Sequence, residues 1–150
     1  MSVSPGASFR PPTATERLFN RVFGFLIGHG LAPKPYYLLQ VRGRKSGNLY
    51  TTPVDLLEMH GRRYLVAPRG RTQWVRNAET AGEVDLKRGS FRQTFRVVPI
   101  VDGEKPELLK AYLEQFKAAV QRFFPIAAGS DVSAFEGIAA EYPVFELKAK

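Results

Sequence analysis

A chain of 150 residues, 44% of them hydrophobic, is long enough for one ordinary core and too short for two. Eleven Phe, six Tyr and one Trp exclude a disordered chain, and the lack of cysteine excludes a disulfide scaffold, a thiolate nucleophile and a zinc–thiolate site. A formal net charge of +8 is by itself a solvated basic face or a field for an anionic partner, and with two histidines far apart no metal site is expected.

Met1 to Pro12 combines Pro, Ser and Gly without an apolar secretory core. It reads as a disordered leader, followed by a single domain over 13–150. Thr13 with Glu16 forms a capping box, and Leu18, Phe19, Val22, Phe23, Leu26 and Ile27 recur at helical spacing. His29-Gly30 ends that helix. The helix is basic and amphipathic, which leaves peripheral membrane contact open. No segment reaches the roughly 18 consecutive apolar residues of a spanning helix. The expected location is cytoplasmic, with or without contact to a membrane surface.

Pro33 and Pro35 hold the next residues extended, and a first strand, Tyr36 to Val41, leads into Gly43-Arg44-Lys45-Ser46-Gly47. A second strand covers Thr51 to Met59, turns at His60-Gly61, and returns antiparallel over Arg62 to Pro68. Thr72 caps a short helix through Ala81. Glu83 to Lys87 and Phe91 to Val101 form a hairpin around Arg88-Gly89. Within it, Phe91, Thr94, Arg96 and Pro99 break the alternation and predict a bulge or bend.

Pro106 fits a first helical turn, and Leu109, Tyr112, Leu113, Phe116, Val120 and Phe123 form an apolar stripe that Pro125 stops. Ser133 with Glu136 predicts a second capping box for a helix reaching Tyr142. Val144 to Leu147 reads as a last strand, with Phe145 and Leu147 on one face. Antiparallel strands with an inserted helix, then helices and a strand, make an α+β domain without the strand–helix alternation of a Rossmann fold. A small sheet curled into a barrel fits that order.

The segment Gly43 to Gly47 carries the most specific chemistry. Its glycines admit close backbone approach, Ser46 and the freed amides donate hydrogen bonds, and Arg44 and Lys45 supply charge, which suits a phosphate or polycarboxylate. Between Lys34 and Arg76, nine basic residues face only Asp55 and Glu58, so this window carries +7 of the +8. His60 reads as a turn residue and His29 as a helix end, neither as a catalytic group.

With Thr51-Thr52-Pro53, Ala67-Pro68-Arg69-Gly70 and Trp74-x-x-Asn77 downstream of the basic turn, the chain resembles the deazaflavin (F420)-dependent nitroreductase family. The resemblance implies a small antiparallel split β-barrel, of the FMN-binding split-barrel type, with flanking helices. It implies coenzyme F420 as cofactor. Arg44, Lys45, Ser46 and Gly47, with Arg69 beyond Ala67 and Pro68, would hold its acidic tail. Thr52, Pro53, Val54, Asp55, Trp74 and Asn77 would line its ring. The family often has Arg three residues after the second glycine, where this chain has Tyr50; Arg69, Arg71 or Arg62 would have to take that place.

By spacing alone, Phe116, Phe123 and Phe124 belong to the core. The resemblance implies that the matching helix closes over the substrate, which makes Phe123 and Phe124 its walls and adds Tyr112. A cofactor carrying its own hydride relieves the protein of supplying a nucleophile or carboxylate pair, and neither is evident here. The implied acceptors are small electron-poor molecules: enones, quinones, unsaturated lipids and nitroaromatics. Solvent or a hydroxyl such as Tyr112 would supply the balancing proton. Other uses of such a barrel stay open: an FMN enzyme, or a carrier that binds lipid or tetrapyrrole without turnover. Nucleic-acid binding through Tyr50, Tyr64 and Trp74 on the basic face ranks last, and no nucleic acid is expected as a partner.

Overall fold

The computed structural model describes residues 21–24, 26–27 and 35–150. Of the N-terminal helix predicted above, residues 21–24 and 26–27 are helical; its start, its glycine stop and the leader lie outside the described residues. Seven strands follow: β1 (Tyr36–Arg42), β2 (Leu49–Asp55), β3 (Leu57–Met59), β4 (Arg62–Val66), β5 (Glu83–Arg88), β6 (Phe91–Pro99) and β7 (Val144–Ala149). They form one antiparallel sheet in the order β2-β1-β5-β6-β7-β4-β3.

The sheet curls because β2 and β3 stand at its opposite edges yet are separated in the chain by Leu56 alone. The strand expected over Thr51 to Met59 is therefore one run that bends at Leu56, leaves β1 and joins β4. The bend is held by the Leu56 amide donating to the Pro35 carbonyl at 3.0 Å, and by burial of the Leu56 side chain. Next to it, His60 (φ 54°) and Gly61 (φ 73°) form the tight turn between β3 and β4; two positive φ values match the twist of a two-residue hairpin.

Two apolar layers result. Leu39, Val41, Leu56, Leu65, Val84, Leu86, Phe95 and Leu147 fill the inside of the curled sheet. On its outer face, Tyr64, Val66 and Val144 meet α2 (Lys105–Gln115) and the 3-10 helix Val132–Glu141 through Leu109, Tyr112, Leu113, Phe135 and Tyr142. β4 alternates Tyr64 and Val66 outward with Leu65 inward, so it is buried on both faces. Each fully buried Leu or Phe in these layers contributes about 1.5–3 kcal/mol.

Three local expectations are corrected. The β5–β6 ladder runs unbroken from Glu83↔Arg96 to Arg88↔Phe91, and β6–β7 from Phe95↔Ala149 to Pro99↔Phe145, so no bulge interrupts β6. Its irregular alternation reflects a strand that acquires a second neighbour half-way along. The stripe from Leu109 to Phe123 is not one helix: α2 ends at Gln115, and a short α3 (Lys117–Val120) and a 3-10 turn (Gln121–Phe123) follow. Finally, Val132–Glu141 is a 3-10 helix preceded by Asp131, not an α-helix capped by Ser133. Phe145 and Leu147 do share a face of β7, both buried.

Candidate active site

A cleft of about 920 Å³ runs along β2. One edge of β2 pairs with β1 from Tyr36↔Asp55 to Arg42↔Leu49; the other edge pairs with no strand among the described residues. Six consecutive residues, Tyr50 to Asp55, line the cleft for that reason. An edge strand offers unpaired backbone donors and acceptors.

The basic turn closes one end. The Gly43 amide donates to the Asn48 carbonyl at 2.7 Å and the Gly47 amide to the Gly43 carbonyl at 3.0 Å, with Gly47 at φ 74°. Ser46 Oγ accepts the Asn48 amide at 3.1 Å and meets the Tyr50 hydroxyl at 3.3 Å. The Tyr50 ring lies over Gly43, where a Cβ would stand 2.5 Å from Tyr50 Cε2. Tyr50, half-exposed, thus packs on the turn itself.

α1 (Gln73–Ala81) fixes the turn from the other side. Asn77 is buried, and its Oδ1 accepts both the Arg44 amide (3.0 Å) and the Arg44 guanidinium (2.8 Å). Trp74, one turn earlier, packs on Phe145 with ring centroids 6.1 Å apart and shows its remaining surface to the cleft. Thr72 lines the cleft too. Its predicted capping bond is absent, and its buried Oγ1 has no partner among the described residues.

At the far end of the β1–β2 ladder stand Tyr36, Asp55 and Tyr112. Seven register pairs separate this end from the turn, about 20 Å at strand rise. The Tyr112 hydroxyl donates to Asp55 Oδ1 at 2.8 Å. Burial raises the Asp55 carboxyl above its ordinary range, and the Tyr112 bond offsets this only in part. Burial and the neighbouring Asp55 push the Tyr112 phenol well up, so it stays a donor. Phe123 forms another wall, flanked by the guanidinium carbons of Arg69 (5.1 Å) and Arg122 (4.7 Å).

Most residues singled out from the sequence converge here. The turn residues Arg44 to Ser46, the strand residues Thr52 to Asp55, Pro68 and Arg69 after β4, Trp74 and Asn77 on α1, and Tyr112 and Phe123 all line the cleft. Three do not. Gly47 sits in the turn outside the lining, Ala67 is buried against Val75 and Phe145, and Phe124 stacks on Tyr142 at 4.4 Å in the core. Of the arginines considered in place of Tyr50, only Arg69 lines the cleft; Arg71 pairs with Glu79, and Arg62 lies beside Glu146. Tyr64 is buried, so it offers no face to a base.

Arg122 was not foreseen, since it lies outside the basic window and reaches the cleft only through the turn at Gln121–Phe123. Tyr36 was read as a strand residue alone; its position opposite Asp55 is a matter of register. With Arg122, four cations line the cleft against one carboxyl that burial holds toward neutrality. That charge balance and an open strand edge suit a large anionic ligand.

Residues 13–123 match the family model described as F420H(2)-dependent quinone reductase. The chain belongs to this family. It is an F420-dependent oxidoreductase, with coenzyme F420 as its cofactor and a small molecule as its acceptor. Among curated proteins none is significantly similar in sequence.

Solved structures share the split-barrel fold of this quinone reductase family member at low identity. An F420-H2 dependent reductase aligns at 19% identity and TM-score 0.52, over 77% of this chain and 95% of its own. A putative 5-nitroimidazole antibiotic resistance protein from Bacteroides thetaiotaomicron aligns at 11% and 0.51, over 87% and 78%. A putative pyridoxamine 5'-phosphate oxidase from Listeria innocua aligns at 10% and 0.51, over 87% and 91%. Within the described residues, no helix is long and apolar enough to cross a membrane.

Proposed function

We propose that the protein reduces a planar, electron-poor unsaturated acceptor, a quinone first and then enones, nitroaromatics or unsaturated lipids. The observation that carries this is the two-ended cleft: a basic turn at one end of an open strand edge, an aromatic and apolar pocket at the other.

The reduced coenzyme, when bound, supplies a hydride from its ring. Arg44, Lys45 and Ser46 would hold its anionic end. The free edge from Thr52 to Val54 would hydrogen-bond the heterocycle through its backbone, with Trp74 as the facing wall. Asn77 orients Arg44 so that its charge is already directed when the anion arrives. Phe23, Tyr36 and Phe123 would pack on the acceptor and exclude water from it.

The test is a fluorescence titration with oxidised coenzyme F420, run beside FMN, followed by turnover assays with menadione, an enone and a nitroaromatic. Saturable quenching by the deazaflavin alone, with turnover fastest on menadione, supports the reading. Quenching by FMN alone would replace the cofactor. A wild-type protein that binds F420 but turns over none of the acceptors would replace the substrate class.

A further inference from the structure

Anion binding leaves one feature of the cleft unused. Tyr36 and Asp55 are direct partners in the β1–β2 register, so their side chains stand side by side on one face. Tyr112 reaches them from α2 and donates to Asp55 Oδ1. All three line the cleft, Tyr112 with no exposed surface. Among the described residues, the titratable groups that act on or with Asp55 are Tyr36 from β1 and Tyr112 from α2. Arg44 and Lys45 of the turn, Arg69 after β4 and Arg122 of the 3-10 turn line the rest of the cleft. Burial raises the Asp55 carboxyl more than the bonds from Tyr112 and from its own backbone amide lower it.

Partial removal from water shifts the Asp55 carboxyl toward its neutral form. Oδ1 accepts from Tyr112, which leaves Oδ2 as the oxygen to carry a proton toward the cleft. The Tyr112 bond holds this carboxyl in one orientation, at the end of the cleft opposite the basic turn.

Taking the reductase reading above as given, we infer that Asp55 is the proton donor of the reduction and that Tyr112 is its positioning residue. Hydride transfer brings the acceptor two electrons and one hydrogen nucleus and leaves it one negative charge. The Asp55 O–H bond breaks, the proton bonds to the acceptor, and the bonding pair stays on the carboxylate. The Tyr112 hydroxyl then donates to that carboxylate in a charge-assisted bond. Water at the mouth of the cleft restores the proton.

The test follows the Asp55 carboxyl resonance against pH in carbon-13-labelled protein without coenzyme. In parallel, wild type, D55N and Y112F are titrated with oxidised F420 and assayed across pH. The wild-type resonance is expected to titrate above the ordinary carboxylate range, and kcat to fall as pH rises through the same value. D55N is expected to bind the coenzyme as wild type does, to lose about 100-fold in kcat, and to lose the alkaline limb. Y112F is expected to move both the resonance and the limb to higher pH, because the carboxylate has lost its donor. A resonance titrating in the ordinary range overturns the proposal. So does D55N with wild-type kcat or an unchanged limb, or coenzyme affinity lost in step with turnover. A wild-type protein that fails to bind F420 overturns the reductase reading instead, and this inference with it.

Discussion

Asn77 and Arg44 are joined twice: one carboxamide oxygen accepts both the backbone amide and the guanidinium of the arginine, at 3.0 and 2.8 Å. The pair ties the basic turn to α1 and directs a cation into the cleft before any ligand arrives. N77A should therefore loosen the turn without emptying the core. A hydrogen bond to a charged group is worth about 1.5–3 kcal/mol, so the dissociation constant for F420 should rise about tenfold or more. Fluorescence titration of the variant measures this; unchanged affinity would mean that the turn orders itself.

Lys45 is exposed, and no ion pair within the described residues engages it, so its charge serves the field of the cleft more than the fold. K45E should abolish F420 quenching while the circular dichroism spectrum and the melting temperature stay at wild-type values. Wild-type affinity should also weaken as salt is raised, since exposed charges are screened. Affinity indifferent to both changes would remove the anionic anchor from this turn.

Tyr142 donates its hydroxyl to the Phe123 carbonyl while its ring stacks on Phe124 at 4.4 Å. The core thus holds a cleft wall from behind. Y142F keeps the stack and drops the bond, at a cost of about 1 kcal/mol. A melting temperature lower by about 2–4 °C is expected for a domain of this size. With the wall less firmly placed, the acceptor KM should rise more than kcat falls, while F420 affinity holds. Steady-state kinetics on menadione separates the three.

Asp55 also sets a pH dependence of stability. Its carboxyl is raised in the folded state by burial, so the folded protein holds the proton where the unfolded chain has lost it. The sign follows: this group's contribution is favourable below the unfolded carboxylate value, declines as pH rises from there through the folded value, and is flat above. D55N lacks the decline. Its stability relative to wild type, from urea melts, should be higher at neutral pH than at pH 3. A difference independent of pH would mean that the carboxyl is not destabilised by its burial.

Local pattern made much of this protein legible. The strands around Tyr36, Arg62, Glu83 and Val144 were visible because alternation and turn residues act over a few neighbours. Misreadings arose where tertiary contacts override that pattern. Val132–Glu141 packs on α2 as a 3-10 helix although Ser133 and Glu136 spell a capping box. Leu56 bends a strand whose residues look uniform, because its two halves pair at opposite edges of the sheet.

The same boundary runs through the site. The glycine-bracketed cations and the Trp-x-x-Asn spacing are written in short segments, so the sequence by itself showed an anion-binding turn and carried the resemblance to the family. Phe124, one residue from Phe123, turns into the core, while Arg122 on its other side reaches the cleft. Tyr112 meets Asp55 across 57 positions of chain. Only the tertiary structure decided these, because they depend on which way a side chain leaves a turn, on strand register and on barrel closure, and each is set by packing with distant residues.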